Sequence, residues 1–87
     1  MSYQDSQRTA AVIERWRADF NLTPAEVAVV RLAVDESSSR TFIATARKVQ
    51  LSTVKKQIQG ICAKTGARSL DDIVIHVLRE VVYGKAA

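Results

Sequence analysis

The clearest chemical signal in this 87-residue sequence is a block of basic side chains. Residues 40–68 contain seven bases and no acid, namely Arg40, Arg47, Lys48, Lys55, Lys56, Lys64 and Arg68. Residues 1–39 hold four bases and six acids, and residues 69–87 hold two bases and three acids, so the net charge of +4 comes entirely from this block. This concentration of positive charge in one segment favours a surface that binds a polyanion. The alternative is a basic surface that is only solvated.

Side chains that support catalysis or bind metals are scarce. The sequence has one histidine, His76, and one cysteine, Cys62. Because a zinc site takes three or four ligands, these two residues do not form one within a single chain. We expect His76 to have a structural or interface role and Cys62 to lie at the edge of the core; redox sensing by Cys62 is the less favoured alternative. We therefore predict a protein that is not an enzyme and that needs no metal or cofactor.

The basic residues must be positioned by helices, since three glycines and one proline are too few for the turns of a β fold. A first helix is predicted over about residues 7–20, with an apolar stripe that we interpret as core and not as a platform for nucleobases: Val12, Ile13, Trp16 and Phe20. A second helix begins after Thr23, where Pro24 and a capping box with Glu26 are typical start signals, and runs to about Val34.

Two further helices contain the basic block. Ser39 is predicted to cap a short helix that ends near Lys48, with Phe42, Ile43 and Ala46 inward and Arg40 and Arg47 outward. The next helix, over about 52–65, has an apolar stripe formed by Val54, Ile58, Ile61 and Thr65, and Gly66 stops it. Counting 100° per residue, its opposite side holds Ser52, Thr53, Lys55, Lys56, Gln59, Gly60, Ala63 and Lys64. That side is basic and free of acids.

The last predicted helix, over about 70–83, has an unusually broad apolar surface. Ser69 and Asp72 form a capping box at its start, and Gly84 follows its end. Its apolar residues, which cover roughly 200° of the circumference, are Leu70, Ile73, Val74, Ile75, Val77, Leu78, Val81 and Val82. One small core does not cover so much, so we predict a homodimer through Val74, Val77, Leu78 and Val81. The alternative is that the N-terminal helix covers this surface within one chain.

The expected compartment follows from what the sequence lacks. No apolar run approaches the roughly 18 residues that span a bilayer, and the polar start of the chain does not resemble a secretory signal. A single cysteine forms no intramolecular disulfide. We therefore predict a cytoplasmic protein that does not insert into a membrane.

A short helix, a brief turn and a second helix with a basic outer side form a helix-turn-helix, whose second helix fits the major groove of duplex DNA. The residues predicted to face bases or phosphates are Thr53, Lys55, Lys56 and Gln59. Those predicted to lie nearer the phosphate backbones are Arg47, Lys48, Lys64 and Arg68. Only side chains such as Thr53, Lys56 or Gln59 would discriminate between bases.

The order of these segments resembles the LuxR-type (GerE-like) helix-turn-helix domain. The family's opening motif is similar to Leu22-Thr23-Pro24-Ala25-Glu26. Its recognition helix is similar to Thr53-Val54-Lys55 with Ile58. The segment that leads from that helix into the last helix is similar to Ile61, Lys64 and Gly66-Ala67-Arg68-Ser69. The resemblance implies an all-α, four-helix domain over 22–83, preceded by an additional N-terminal helix and tail over 1–21 and followed by a tail over 84–87. It also implies a small bacterial transcription regulator that binds double-stranded DNA as a homodimer.

The sequence also departs from the family pattern. Lys48 stands where the family has its turn glycine, and Phe42 stands where it has an acidic residue. These changes favour an alternative function, an interaction module or antagonist that pairs with a larger regulator protein. An exposed Phe42 would favour that alternative, although we expect Phe42 to belong to the core.

Overall fold

The computed structural model describes residues 3–84, with side chains from residue 7 onward. This part of the chain contains five helices and no strand: α1 (Tyr3–Phe20), α2 (Pro24–Asp35), α3 (Arg40–Arg47), α4 (Leu51–Thr65) and α5 (Leu70–Tyr83). The predicted all-α class is confirmed for these residues. Helix α1 begins four residues earlier than predicted and α4 one residue earlier. Within residues 3–84, none of the helices combines the length and the apolar character that a membrane span requires.

Helix α2 lies at the centre of the fold and packs against each of the other four helices. The core around it draws on every helix and consists of Val12, Ile13, Trp16, Leu22, Val29, Val30, Ala33, Ile43, Ala44, Val54, Ile58, Ile61, Leu70, Ile73 and Val77. The predicted stripes of α1 and α4 are therefore confirmed as core-facing. Phe20 is half-buried and meets Trp16 edge to face, with ring centroids 5.2 Å apart.

The predicted start signals of α2 and α5 have different outcomes. At α2 both bonds of the capping box form: the Glu26 N–H donates to Thr23 Oγ1 at 3.1 Å, and the Thr23 N–H donates to Glu26 Oε1 at 2.9 Å. At α5 the Asp72 N–H donates to Ser69 Oγ at 3.1 Å. The Asp72 carboxylate, however, accepts from the N–H of Arg68 at 3.0 Å, one residue before the predicted donor. The predicted Ser69–Asp72 box is thus only half formed.

Helix α3 is oriented differently from the prediction. Its buried residues are Ile43 and Ala44, whereas Phe42 is 41% exposed and Ala46 is exposed. The prediction that Phe42 and Ala46 face inward is therefore wrong. Because α3 has only eight residues, it buries a narrow edge centred between Ile43 and Ala44, and Phe42 lies about 150° from the middle of that edge.

Helix α1 folds back along α5 and covers part of its broad apolar surface. Arg15 donates to Glu80 Oε1 at 2.6 Å, and the indole N–H of Trp16 donates to the other oxygen of Glu80. Ile73 and Val77 have no accessible surface, so Val77, predicted as a dimer contact, does not face solvent. Of the alternatives for α5, coverage by the N-terminal helix is realised on this side.

The other side of α5 stays open to solvent. Ile75, Leu78 and Val82 are 49%, 36% and 66% exposed, and they follow one another at i, i+3 and i+7 on one side of the helix. Val74 and Val81, two more of the predicted dimer contacts, are half-buried beside the core. We call Ile75, Leu78 and Val82 the α5 strip.

Candidate nucleic-acid interface

The turn between α3 and α4 is short and tightly hydrogen-bonded. Lys48 adopts the left-handed conformation, with φ 56° and ψ 44°. The Val49 N–H donates to the Ala44 carbonyl at 3.0 Å and the Lys48 N–H to the Thr45 carbonyl at 3.2 Å, which is the bonding of a Schellman motif. Lys48 thus takes the backbone conformation that glycine usually provides, although a side chain makes it unfavourable. Only three residues then separate α3 from α4.

The outer side of α4 is exposed along its whole length. Ser52, Lys55, Lys56, Gln59 and Ala63 are all exposed, as the helical periodicity predicts. Two residues of the predicted outer side lie elsewhere. Thr53 is half-buried, and Gly60 lies against α2, where a Cβ on residue 60 would be 2.5 Å from Glu26 Oε2.

Lys64, predicted as a DNA contact, is engaged within the protein. Its Nζ donates to Glu26 Oε1 at 2.6 Å and to the carbonyl of Asn21 at 3.2 Å. Glu26 is only 6% exposed. Burial by itself raises the pKa of Glu26. The hydrogen bonds from Lys64 and from the Thr23 N–H, together with the charge of Lys64, outweigh this effect, so the pKa is lowered overall. Lys64 therefore neutralises a buried carboxylate and joins the end of α4 to the start of α2.

The other six bases of the 40–68 block form no ion pair with any described residue. Arg47 is half-buried and donates to the side-chain oxygen of Gln57 on α4. The remaining five are exposed and are Arg40, Lys48, Lys55, Lys56 and Arg68. Because none of these five is paired with an acid among the described residues, their charges are available to an external anion. We call them the basic face.

Leu51 is a residue of this surface that sequence reasoning missed. It is the first residue of α4 and is 39% exposed, beside the exposed Gln50 and Ser52. In the sequence it reads as a linker residue, because the predicted helix begins at Ser52. Its exposure depends on where α3 and the core end, which no local pattern indicates.

The described residues offer little for other chemistry. Among them, no group of three or more histidine, cysteine or acidic side chains is arranged to hold a metal ion. Cys62 is half-buried; burial raises the pKa of its thiol, the charge of Arg40 lowers it and that of Asp72 raises it, with a net upward direction. A raised pKa disfavours the reactive thiolate. His76 Nε2 lies 3.3 Å from Asp72 Oδ1 at the surface of α5.

Comparison with known proteins leaves the family open. No protein-family model matches this chain. No curated protein and no solved structure matches it either. The LuxR-type resemblance accordingly rests on the sequence motifs alone, and the helix-turn-helix assignment stays a prediction.

Proposed function

We propose that this chain is a small transcription regulator with a LuxR-type helix-turn-helix domain, which binds duplex DNA through α4 while α3 supports it. The observation that carries the proposal is the basic face: five exposed bases on α3, the turn, α4 and the segment after it, none of which is paired with an acid in the described part of the chain. A surface whose charges are left uncompensated within the fold suits the phosphate backbone, which dominates DNA affinity.

The dimensions of α4 support this function. Its 15 residues span about 22 Å, and a helix of ordinary width enters the roughly 12 Å major groove. Lys55 and Lys56 lie on its outer side, so they reach phosphates or base edges. Lys48 lies in the turn before the helix and Arg68 follows it, which places positive charge near both of its ends for the flanking backbones. The polar side chains left to read bases are Ser52, Gln59 and the half-buried Thr53.

The test is the salt dependence of DNA binding. Affinity of the full chain for a library of genomic duplexes is measured by fluorescence anisotropy between about 50 and 200 mM salt, where each phosphate contact contributes about −0.9 to the log–log slope. Lys55→Ala and Lys56→Ala should each reduce the slope by about one. Arg31→Ala removes the same charge from the exposed surface of α2 and should leave the slope unchanged. Undetectable or salt-insensitive binding would refute DNA recognition.

The proposed regulator is a homodimer through the α5 strip. Three exposed apolar side chains on one side of a helix form a contiguous surface that a two-fold related copy of the same strip would cover. The proposed contact differs from the predicted one, because Val77 is buried under the fold and Ile75 and Val82 take its place beside Leu78.

The oligomeric state is tested by sedimentation equilibrium. Leu78→Asp should give a folded monomer, since the aspartate would be desolvated in the contact. Ala18→Asp places the same charge on the exposed surface of α1 and should leave the dimer intact. A monomeric wild-type chain, or a Leu78→Asp protein of dimeric mass, would remove α5 as the interface.

One observation favours a second function, the interaction module that pairs with a larger regulator. Phe42 is 41% exposed on α3, and an exposed aromatic side chain is a frequent anchor of protein interfaces. Variants separate the two functions. A DNA-binding regulator loses affinity for DNA with Lys55→Ala and Lys56→Ala and keeps it with Phe42→Ala. An interaction module shows no salt-dependent DNA binding in any of the three proteins, and only Phe42→Ala weakens its pairing with the regulator.

A further inference from the structure

Leu51 lies where the core stripe of α4 meets the basic face. It precedes Val54, Ile58 and Ile61 at helical spacing, but Val54 has no accessible surface whereas Leu51 is 39% exposed. The core therefore ends at Val54, and the leucine extends beyond it. One turn further along α4 lies the exposed cation of Lys55, which shares this side of the helix.

The direction of the side chain matters for what it can contact. Side chains of an α-helix tilt toward its N-terminus, so that of the first residue projects past the end of the helix. In helix-turn-helix proteins the N-terminal residues of the recognition helix are those that reach base edges. If α4 is the recognition helix, Leu51 is among the side chains that penetrate deepest into the groove.

The chemistry of a leucine restricts its partner on DNA. The side chain of leucine forms no hydrogen bond, and contact with a charged phosphate does not stabilise it. The apolar group that DNA displays in the major groove is the C5-methyl group of thymine. We propose that Leu51 is a specificity-determining residue that packs against the C5-methyl of one thymine and favours thymine at that position. The inference rests on the proposed DNA-binding function and adds a base preference to it.

The experiment removes the methyl group without changing any hydrogen bond. A duplex is first selected from a random-sequence pool with the full chain, and each of its thymines is then replaced in turn by uracil, which lacks only the C5-methyl. At one position the wild-type affinity should fall about fourfold, the effect of one buried methyl group. Leu51→Ala should bind thymine and uracil duplexes equally at that position.

Two controls accompany it. Phe42→Ala removes another apolar side chain of similar exposure, outside α4, and should keep the wild-type sensitivity to uracil. Thermal unfolding should show that Leu51→Ala folds, because the side chain lies outside the buried core.

The outcomes separate this inference from the proposed function. Failure to select any duplex would overturn both. A selected duplex in which no thymine responds to uracil, or in which Leu51→Ala responds as the wild-type does, would overturn the role of Leu51 and leave DNA binding standing.

Discussion

Gly60 is a position where a substitution that normally stabilises a helix should destabilise this protein. It lies in the interior of α4, where alanine is ordinarily favoured over glycine by about 1 kcal/mol. A Cβ at residue 60 would, however, lie 2.5 Å from Glu26 Oε2. The carboxylate is not free to retreat, because its other oxygen accepts from Lys64 at 2.6 Å and from the Thr23 N–H at 2.9 Å.

The size of the effect follows from these bonds. Displacing the carboxylate from Lys64 would cost about 1.5–3 kcal/mol, the usual contribution of a hydrogen bond to a charged group. The gain in helix propensity offsets about 1 kcal/mol of this loss. We therefore expect Gly60→Ala to lower the free energy of unfolding by about 0.5–2 kcal/mol, the smaller value applying if α2 and α4 move slightly apart.

A double-mutant cycle isolates the contact. Glu26→Ala removes the obstructing side chain, and in that protein Gly60→Ala should raise the free energy of unfolding by about 1 kcal/mol. The four proteins are compared by urea unfolding followed by far-ultraviolet circular dichroism. The opposite signs of the alanine effect in the two backgrounds are the signature of the close approach.

The reasoning would be refuted by additivity. If Gly60→Ala stabilises the wild-type chain by as much as it stabilises the Glu26→Ala protein, the Glu26 carboxylate is not held against residue 60. The arrangement that joins the end of α4 to the start of α2 would then be incorrect.

Three further predictions concern single side chains. The pKa of Glu26 is lowered from 4.5 in the folded state, so the ionised carboxylate should stabilise the protein above pH 4.5, and this contribution should be lost as pH falls through the folded pKa. In urea titrations at decreasing pH, the free energy of unfolding should therefore fall less steeply for Glu26→Gln than for the wild-type protein. Lys48→Gly should relieve the left-handed backbone and raise the free energy of unfolding by about 0.5–1 kcal/mol, seen as a higher thermal midpoint; a lower midpoint would contradict it. Glu80→Ala should leave the indole N–H of Trp16 without its acceptor, lower the free energy of unfolding by about 1–3 kcal/mol and shift the tryptophan emission to the red. Glu14→Ala should change the free energy of unfolding little, because the ion pair of Glu14 with Arg17 is exposed.

The helices and their ends were largely predictable because their signals are local. Thr23, Ser39 and Ser69 each bind an N–H three residues ahead, so a short stretch of sequence contains the whole interaction. The apolar periodicity of α1 and α4 likewise indicates their buried sides without reference to any partner. The short α3 was the exception: eight residues give too few turns for the period to define one side, and Phe42 and Ala46 were misplaced.

The sequence predicted the positive charge of the candidate site but not which of its bases are unpaired in the folded protein. The basic block is visible in the sequence, as is the outer side of α4. Which bases are free is decided by contacts between distant residues. Lys64 pairs with Glu26 across 38 positions, whereas Lys55 and Lys56 pair with no acid among the described residues. The exposure of Leu51 is of the same kind, since it depends on where the core ends.

The amino-acid sequence by itself determined five helices, the N-cap residues of three of them, one acid-free basic segment and an apolar surface on the last helix too broad for a small core. Only the tertiary structure decided how that surface is divided. Helix α1 returns over α5, where Arg15 and Trp16 donate to Glu80, and α2 packs on α5 as well; Val77 is buried in the fold, whereas Ile75, Leu78 and Val82 face solvent. The physical reason is that helical periodicity establishes which residues share a side of a helix, whereas the neighbour that covers that side is chosen by packing between segments far apart in the chain.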